Sequence, residues 1–209
     1  MPSPEVTSTD RQDINRALAT LERINDDMVR GTIGATSRRG REGGTVWKQD
    51  SRVEQLAWVA NWWRDHRDED VLVDDIIKFA PPGRARRVVE TAVTGLLALE
   101  QLGRAHHDEA ARLEEQMTTL LELIEVRGTL QVREGINGTV KWWFVFAVIV
   151  VPVLGLIVAS SQGTLLQSLL LLVPGVALIV VIKLLLLDRP IRRWRSRITE
   201  LERAMPGRD

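Results

Sequence analysis

Apolar positions along the chain follow a helical period in most segments and a different rule near the C-terminal end. Between residues 10 and 30, Ile14, Ala17, Leu21, Ile24 and Met28 recur at three-four spacing, which predicts one amphipathic helix closed by Gly31. This heptad-like stripe is too short to hold a coiled coil alone, so it is expected to pack on another helix of this chain or of a neighbouring copy. Ser51 and Glu54 form a capping box that opens a second helix to about Arg67. Val53, Leu56, Ala60 and Trp63 share its face, with Trp58 and Trp62 alongside, predicting the core of a small globular domain. A short helix is read over Val71–Phe79, a sharp stop at Pro81-Pro82-Gly83, and a longer helix from Arg84 to Leu102 that buries Val88, Val89, Val93, Leu96 and Leu97. Leu113, Met117, Leu120 and Ile124 mark a further helix over Asp108–Arg127.

Past Arg127 the pattern changes. Thr129–Arg133 and Thr139–Trp142 flank Gly135-Ile136-Asn137-Gly138, and an Asn-Gly step between such segments predicts a β-hairpin over 129–142. Trp142–Ser160 and Leu165–Leu187 are apolar on every side, and residues 142–182 carry no charge. Crossing a bilayer takes about 20 apolar helical residues, so two transmembrane helices joined by the turn at 161–164 are expected. Basic residues lie on both flanks: Lys141 before the first span, and Arg189, Arg192 and Arg193 after the second. The positive-inside rule then places both termini in the cytoplasm, in the plasma (inner) membrane. Trp142, Trp143 and Trp194 are read as interfacial anchors, and Lys183 as a residue that snorkels to the headgroups. Pro152 with Gly155, and Pro174 with Gly175, predict paired helix kinks. The tail, with Ile191, Trp194, Ile198, Leu201 and Met205 in register, is a basic amphipathic helix. It is expected either to lie on an anionic leaflet or to meet the stripe of residues 14–28.

The fold class expected is thus an all-α membrane protein. It divides into an amphipathic helix (1–30), a glycine-rich flexible linker (31–45), a cytoplasmic helical domain (46–141), two spans (142–160 and 165–187) and a basic tail (188–209). The linker's five glycines argue against regular structure there. The opening residues have neither a basic nor an apolar region, so they do not read as a signal peptide.

Charge refines this picture little. The chain holds 28 basic and 28 acidic residues, but residues 1–141 hold 20 basic and 24 acidic, a net of −4. That sign matters for one reading. The two helices around Pro81–Gly83 suggest a helix-turn-helix, with Arg84, Arg86 and Arg87 opening the second helix and the 129–142 hairpin as a wing. An acidic domain, an atypical turn and an intervening helix all weigh against nucleic acid as a partner. There is no cysteine, which removes disulfides and thiolate chemistry. His106 and His107 are adjacent, and neighbouring residues on a helix do not face one point, so no metal is assigned to them. No phosphate-binding loop, dinucleotide fingerprint, zinc-protease motif or nucleophile elbow is present. The expectation is a non-catalytic, cofactor-free interaction or regulatory protein, membrane-anchored and oligomeric. Its expected partners are the bilayer and either a second copy or a membrane protein. A pore-forming effector and a membrane-tethered transcription regulator are the alternatives.

Overall fold

The computed structural model describes residues 8–39, 45–66, 84–162 and 188–204. In chain order these form α1 (Ser8–Val29), β1 (Thr36–Arg39), β2 (Thr45–Lys48), α2 (Ser51–His66), α3 (Arg84–Ala105), α4 (His107–Gln162) and α5 (Arg189–Ala204).

The predicted stripes are where the helices meet. From α1, Ile14, Ala17, Leu21, Ile24 and Met28 enter one core with Val53, Leu56, Val59 and Trp63 of α2, Val89, Val93 and Leu96 of α3, and Met117, Leu120 and Ile124 of α4. The stripe of α1 thus finds its partner inside the chain, chiefly on α3. Gly95 of α3 sits at that crossing: a Cβ there would lie 2.3 Å from Ala17 Cβ and 3.0 Å from Met117 Cε. The two helices are therefore closer than any side chain at position 95 permits.

Local chemistry sets the helix ends. Gly31 adopts φ 74°, the left-handed geometry that glycine takes without a Cβ penalty. Its N–H donates to Met28 O at 3.2 Å, and Thr32 N–H donates to Asp27 O at 2.9 Å, the paired bonds of a Schellman stop. The cap of α2 is Asp50, one residue before the predicted box. Its carboxylate accepts the Arg52 backbone N–H at 2.9 Å, and two Arg52 guanidinium donors at 2.9 Å each. Helices α3 and α4 are separated by His106 alone, whose carbonyl accepts from Ala110 N–H at 3.0 Å.

Three expectations are corrected here. The 129–142 hairpin does not form, because those residues continue α4 without interruption. A helix already nucleated at 107–127 extends at little cost per residue. Each glycine costs it about 1 kcal/mol, less than a fresh strand pair would need to recover. The wing of a winged helix is lost with the hairpin. Second, the glycine-rich stretch is bracketed by strands: β1 and β2 pair antiparallel, Thr36 opposite Lys48 and Ser37 opposite Trp47.

The third correction concerns the membrane. Among the described residues no helix is long and apolar enough to cross a membrane. Trp142–Ser160 is the last part of a 56-residue helix whose earlier turns are charged and packed in the bundle, with no break at Lys141. It is not a free-standing span with polar flanks. The expected all-α two-span membrane fold, its inner-membrane location and its inward orientation are set aside accordingly. Pro152 and Gly155 lie within α4, and the helix runs through both. The second span, Lys183, Pro174 and Gly175, the Val71–Phe79 helix and the Pro81–Gly83 stop lie outside the described residues.

Two measurements check this packing. Gly95→Ala gains helix propensity yet overpacks the α1–α3 crossing, so a net loss of about 1–3 kcal/mol is expected by urea denaturation. An unchanged or raised midpoint would show that the helices separate freely. Asp50→Ala should cost about 1 kcal/mol. Arg52, chiefly by hydrogen bonding, holds the Asp50 carboxyl below its ordinary range. A lowered folded pKa means its contribution is present above the ordinary carboxylate range and fades as pH falls through the folded value. The wild-type advantage over Asp50→Ala should therefore shrink on acidification below about pH 4, and growth of that advantage would refute the assignment.

Candidate functional site

Helix α4 is about 84 Å long at 1.5 Å per residue, and its successive levels carry different neighbours. Residues 113–124 line the main core. At the next level two glycines admit close neighbours. A Cβ on Gly128 would meet Gln49 Nε2 at 1.7 Å and Val53 Cγ1 at 2.6 Å; one on Gly135 would meet the Trp47 ring at 2.5 Å. These positions, seven residues apart, face the strand pair and the start of α2. The Trp47 ring packs against Gly135 while its Nε1–H donates to Thr139 Oγ1 at 3.0 Å. Gly135 and Thr139, read from the sequence as a wing, are instead the platform on which the hairpin docks.

A different face of α4 receives α5. Leu123 and Val126 form a small second cluster with Leu201, with Trp194 and Ile198 packed against it. The apolar stripe of the tail thus meets α4 rather than the α1 stripe. Around the cluster, two guanidinium donors of Arg195 reach Glu134 Oε1 at 3.2 and 2.7 Å, and two of Arg197 reach Glu122 Oε1 at 3.0 and 2.8 Å. Hydrogen bonding to Glu122 raises the Arg197 pKa. Arg133 stands over the Trp194 ring, 5.9 Å from its centroid, within cation–π range.

One buried polar group ties this seat to the bundle. Arg127, 9% exposed, donates to Asn25 Oδ1 of α1, itself 1% exposed, and to Glu202 Oε1 of α5. Three helices are joined through one guanidinium whose planar fork suits divergent acceptors. No sequence pattern marks Arg127, because a single arginine in a charged helix looks solvated until its neighbours are placed.

Beyond the seat, Ile149, Val153 and Ile157 stand out from α4 at 56%, 49% and 60% exposure. They are four residues apart and so form a single i±4n ridge.

The residues expected to carry function are distributed rather than gathered. Arg86 pairs with Glu90 at 3.0 Å on the surface of α3. Arg87 is exposed nearby, and the Arg84 side chain falls outside what is described. Lys141, Arg189, Arg192 and Arg193 are exposed, the last three on α5. Trp194 is half-buried against α4 rather than standing free as an anchor. Trp142 and Trp143 lie in α4 with side chains outside the described set. Among the described residues no group of three His, Asp or Glu is placed to hold a metal ion.

No protein family, curated protein or solved structure matches the chain.

The Arg127 node yields a direct test. Removing one partner of a buried ion pair costs about 3–5 kcal/mol, and the half-exposed Glu202 lowers this to about 2 kcal/mol. Arg127→Ala should lose that much global stability and speed amide hydrogen exchange in α5. Wild-type exchange in α5 of the variant would show that the seat does not depend on Arg127.

Proposed function

We propose that this is a non-catalytic interaction protein that works as a self-associated assembly, with the distal part of α4 as its contact surface. The observation that carries the reading is the Ile149–Val153–Ile157 ridge. Three β-branched side chains turned outward in a row are costly to leave in water, at about 25 cal/mol per Å² of apolar surface. The stretch around them, Trp142–Ser160, contains no ionisable residue.

The occupant favoured by geometry is a second copy. An i±4n ridge packs into the groove beside an identical ridge at a crossing angle of about −50°, the commonest helix-pair class. Two-fold symmetry presents the same ridge from both sides, and closed two-fold dimers are the commonest assemblies. Val153, the middle residue, then lies nearest the symmetry axis.

The absence of cysteine makes the test clean. Val153→Cys should form an intermolecular disulfide under mild oxidation, because near a two-fold axis the two Cβ atoms come within the ~4 Å that the bond requires. Val29→Cys, somewhat more exposed on α1, should stay uncrosslinked. A Val153→Cys chain that remains monomeric, or crosslinks no better than Val29→Cys, would overturn the proposal.

A further inference from the structure

A cavity of about 470 Å³ opens along the side of α5, and its described walls are Arg189, Pro190, Arg193, Trp194 and Arg197. Residues 189, 193 and 197 step by four, so their side chains share one face of the helix, with Pro190 and Trp194 beside them. None of these walls carries a carboxylate.

The three guanidiniums differ in what they already hold. Arg197 is committed: its Nε and Nη2 donate to Glu122 Oε1 at 3.0 and 2.8 Å, and its Nη1 to Glu200 Oε2 at 3.3 Å. Arg189 and Arg193 are exposed, and among the described residues their side chains have neither an ion pair nor a hydrogen bond. They stand about 6 Å apart along the axis, four residues at 1.5 Å each. Two planar forks at that spacing can converge on one tetrahedral anion, because each guanidinium presents paired N–H donors that match phosphate oxygens. The remaining walls are apolar. Pro190 and Trp194 are half-buried, and Trp194 packs against the cluster of Leu123, Val126 and Leu201. Arg133 stands over the Trp194 ring from α4 and is not among the described walls. An indole and a pyrrolidine give a bare phosphate nothing to bind, whereas an aromatic or apolar body covers them. The volume falls within the ~300–1,000 Å³ of small-molecule sites.

We propose that this cavity binds a small organic phosphate with an aromatic or apolar body, its phosphate between Arg189 and Arg193 and its body on Pro190 and Trp194.

Isothermal titration of the full chain with phenyl phosphate tests this. Saturable binding is expected, with inorganic phosphate and phenol each at least about tenfold weaker, because each satisfies only one part of the site. Arg193→Gln should weaken phenyl phosphate about tenfold, the loss of one charge-assisted contact. Arg192→Gln removes the same charge from an exposed residue outside the described walls and should leave binding nearly unchanged. Equal losses in the two variants would mean that the ligand reads only the net charge of α5, and would overturn the proposal. Inorganic phosphate binding as tightly as phenyl phosphate would make this a plain anion site and overturn it too. So would the absence of saturation by phenyl phosphate; if the chain is then retained on phosphatidylcholine vesicles doped with phosphatidic acid, the arginines serve a lipid surface instead.

Discussion

The fold depends on α4 remaining one helix through Gly128, Gly135 and Gly138. Glycine costs a helix about 1 kcal/mol relative to alanine, so three within eleven residues mark the place where this helix is intrinsically weakest. What offsets the cost is contact. Val53 and Gln49 press on Gly128, and the Trp47 ring presses on Gly135, at distances that no Cβ would allow. The smallness that weakens the helix locally lets the strand pair and α2 reach its backbone. A break at this level would separate the core residues at 113–124 from the Ile149–Val153–Ile157 ridge, and the two ends of α4 would lose their common frame.

This dependence explains what was legible in the sequence and what was not. The helical stripes were readable, because the period of α1, α2, α3 and the first half of α4 is enforced by a shared core, and a buried face leaves the same mark whichever partner buries it. The partner was not readable: Ala17 gives no sign that it will meet Gly95. The 129–142 segment failed for a related reason. Asn137-Gly138 is a strong turn signal only where the flanking chain is free to choose, and here a long helix arrives already formed. Nothing in the spacing shows that Gly135 is there to receive Trp47. The cap of α2 slipped by one residue because Asp50 and Ser51 are both competent caps; Asp50 prevails with its Arg52 contacts, which add charge-assisted bonds to the backbone one.

The apolar C-terminal stretch taught a different lesson. Composition alone supports a span wherever about 20 apolar residues run together. Continuity with a charged, packed helix is invisible to that count. Of the candidate sites, the α5 seat was half legible: the stripe Ile191–Leu201 was readable, while Leu123 and Val126 as its receiver were not. Trp63 reads from the sequence as ordinary core, and only the placement of its neighbours shows that its buried indole N–H has no acceptor among the described residues.

The same change of view applies to charge. Residues 1–141 are net acidic, whereas α5 carries six arginines against two glutamates. Along the chain this asymmetry looks like the flank of a membrane segment. In space part of it is internal neutralisation, since Arg195 meets Glu134 and Arg197 meets Glu122. Both pairs are largely exposed, and such pairs contribute at most about 1 kcal/mol each. They set the register of α5 more than its strength. The strength comes from the small apolar cluster at Leu123, Val126 and Leu201, and from Arg127, a buried cation with acceptors on both α1 and α5. Because Arg127 joins Asn25 and Glu202 through a single group, α1 and α5 are coupled through it: an event that loosens either helix leaves Arg127 with an unmet donor that the other must bear. Arg127 thereby makes the holding of α5 part of the bundle.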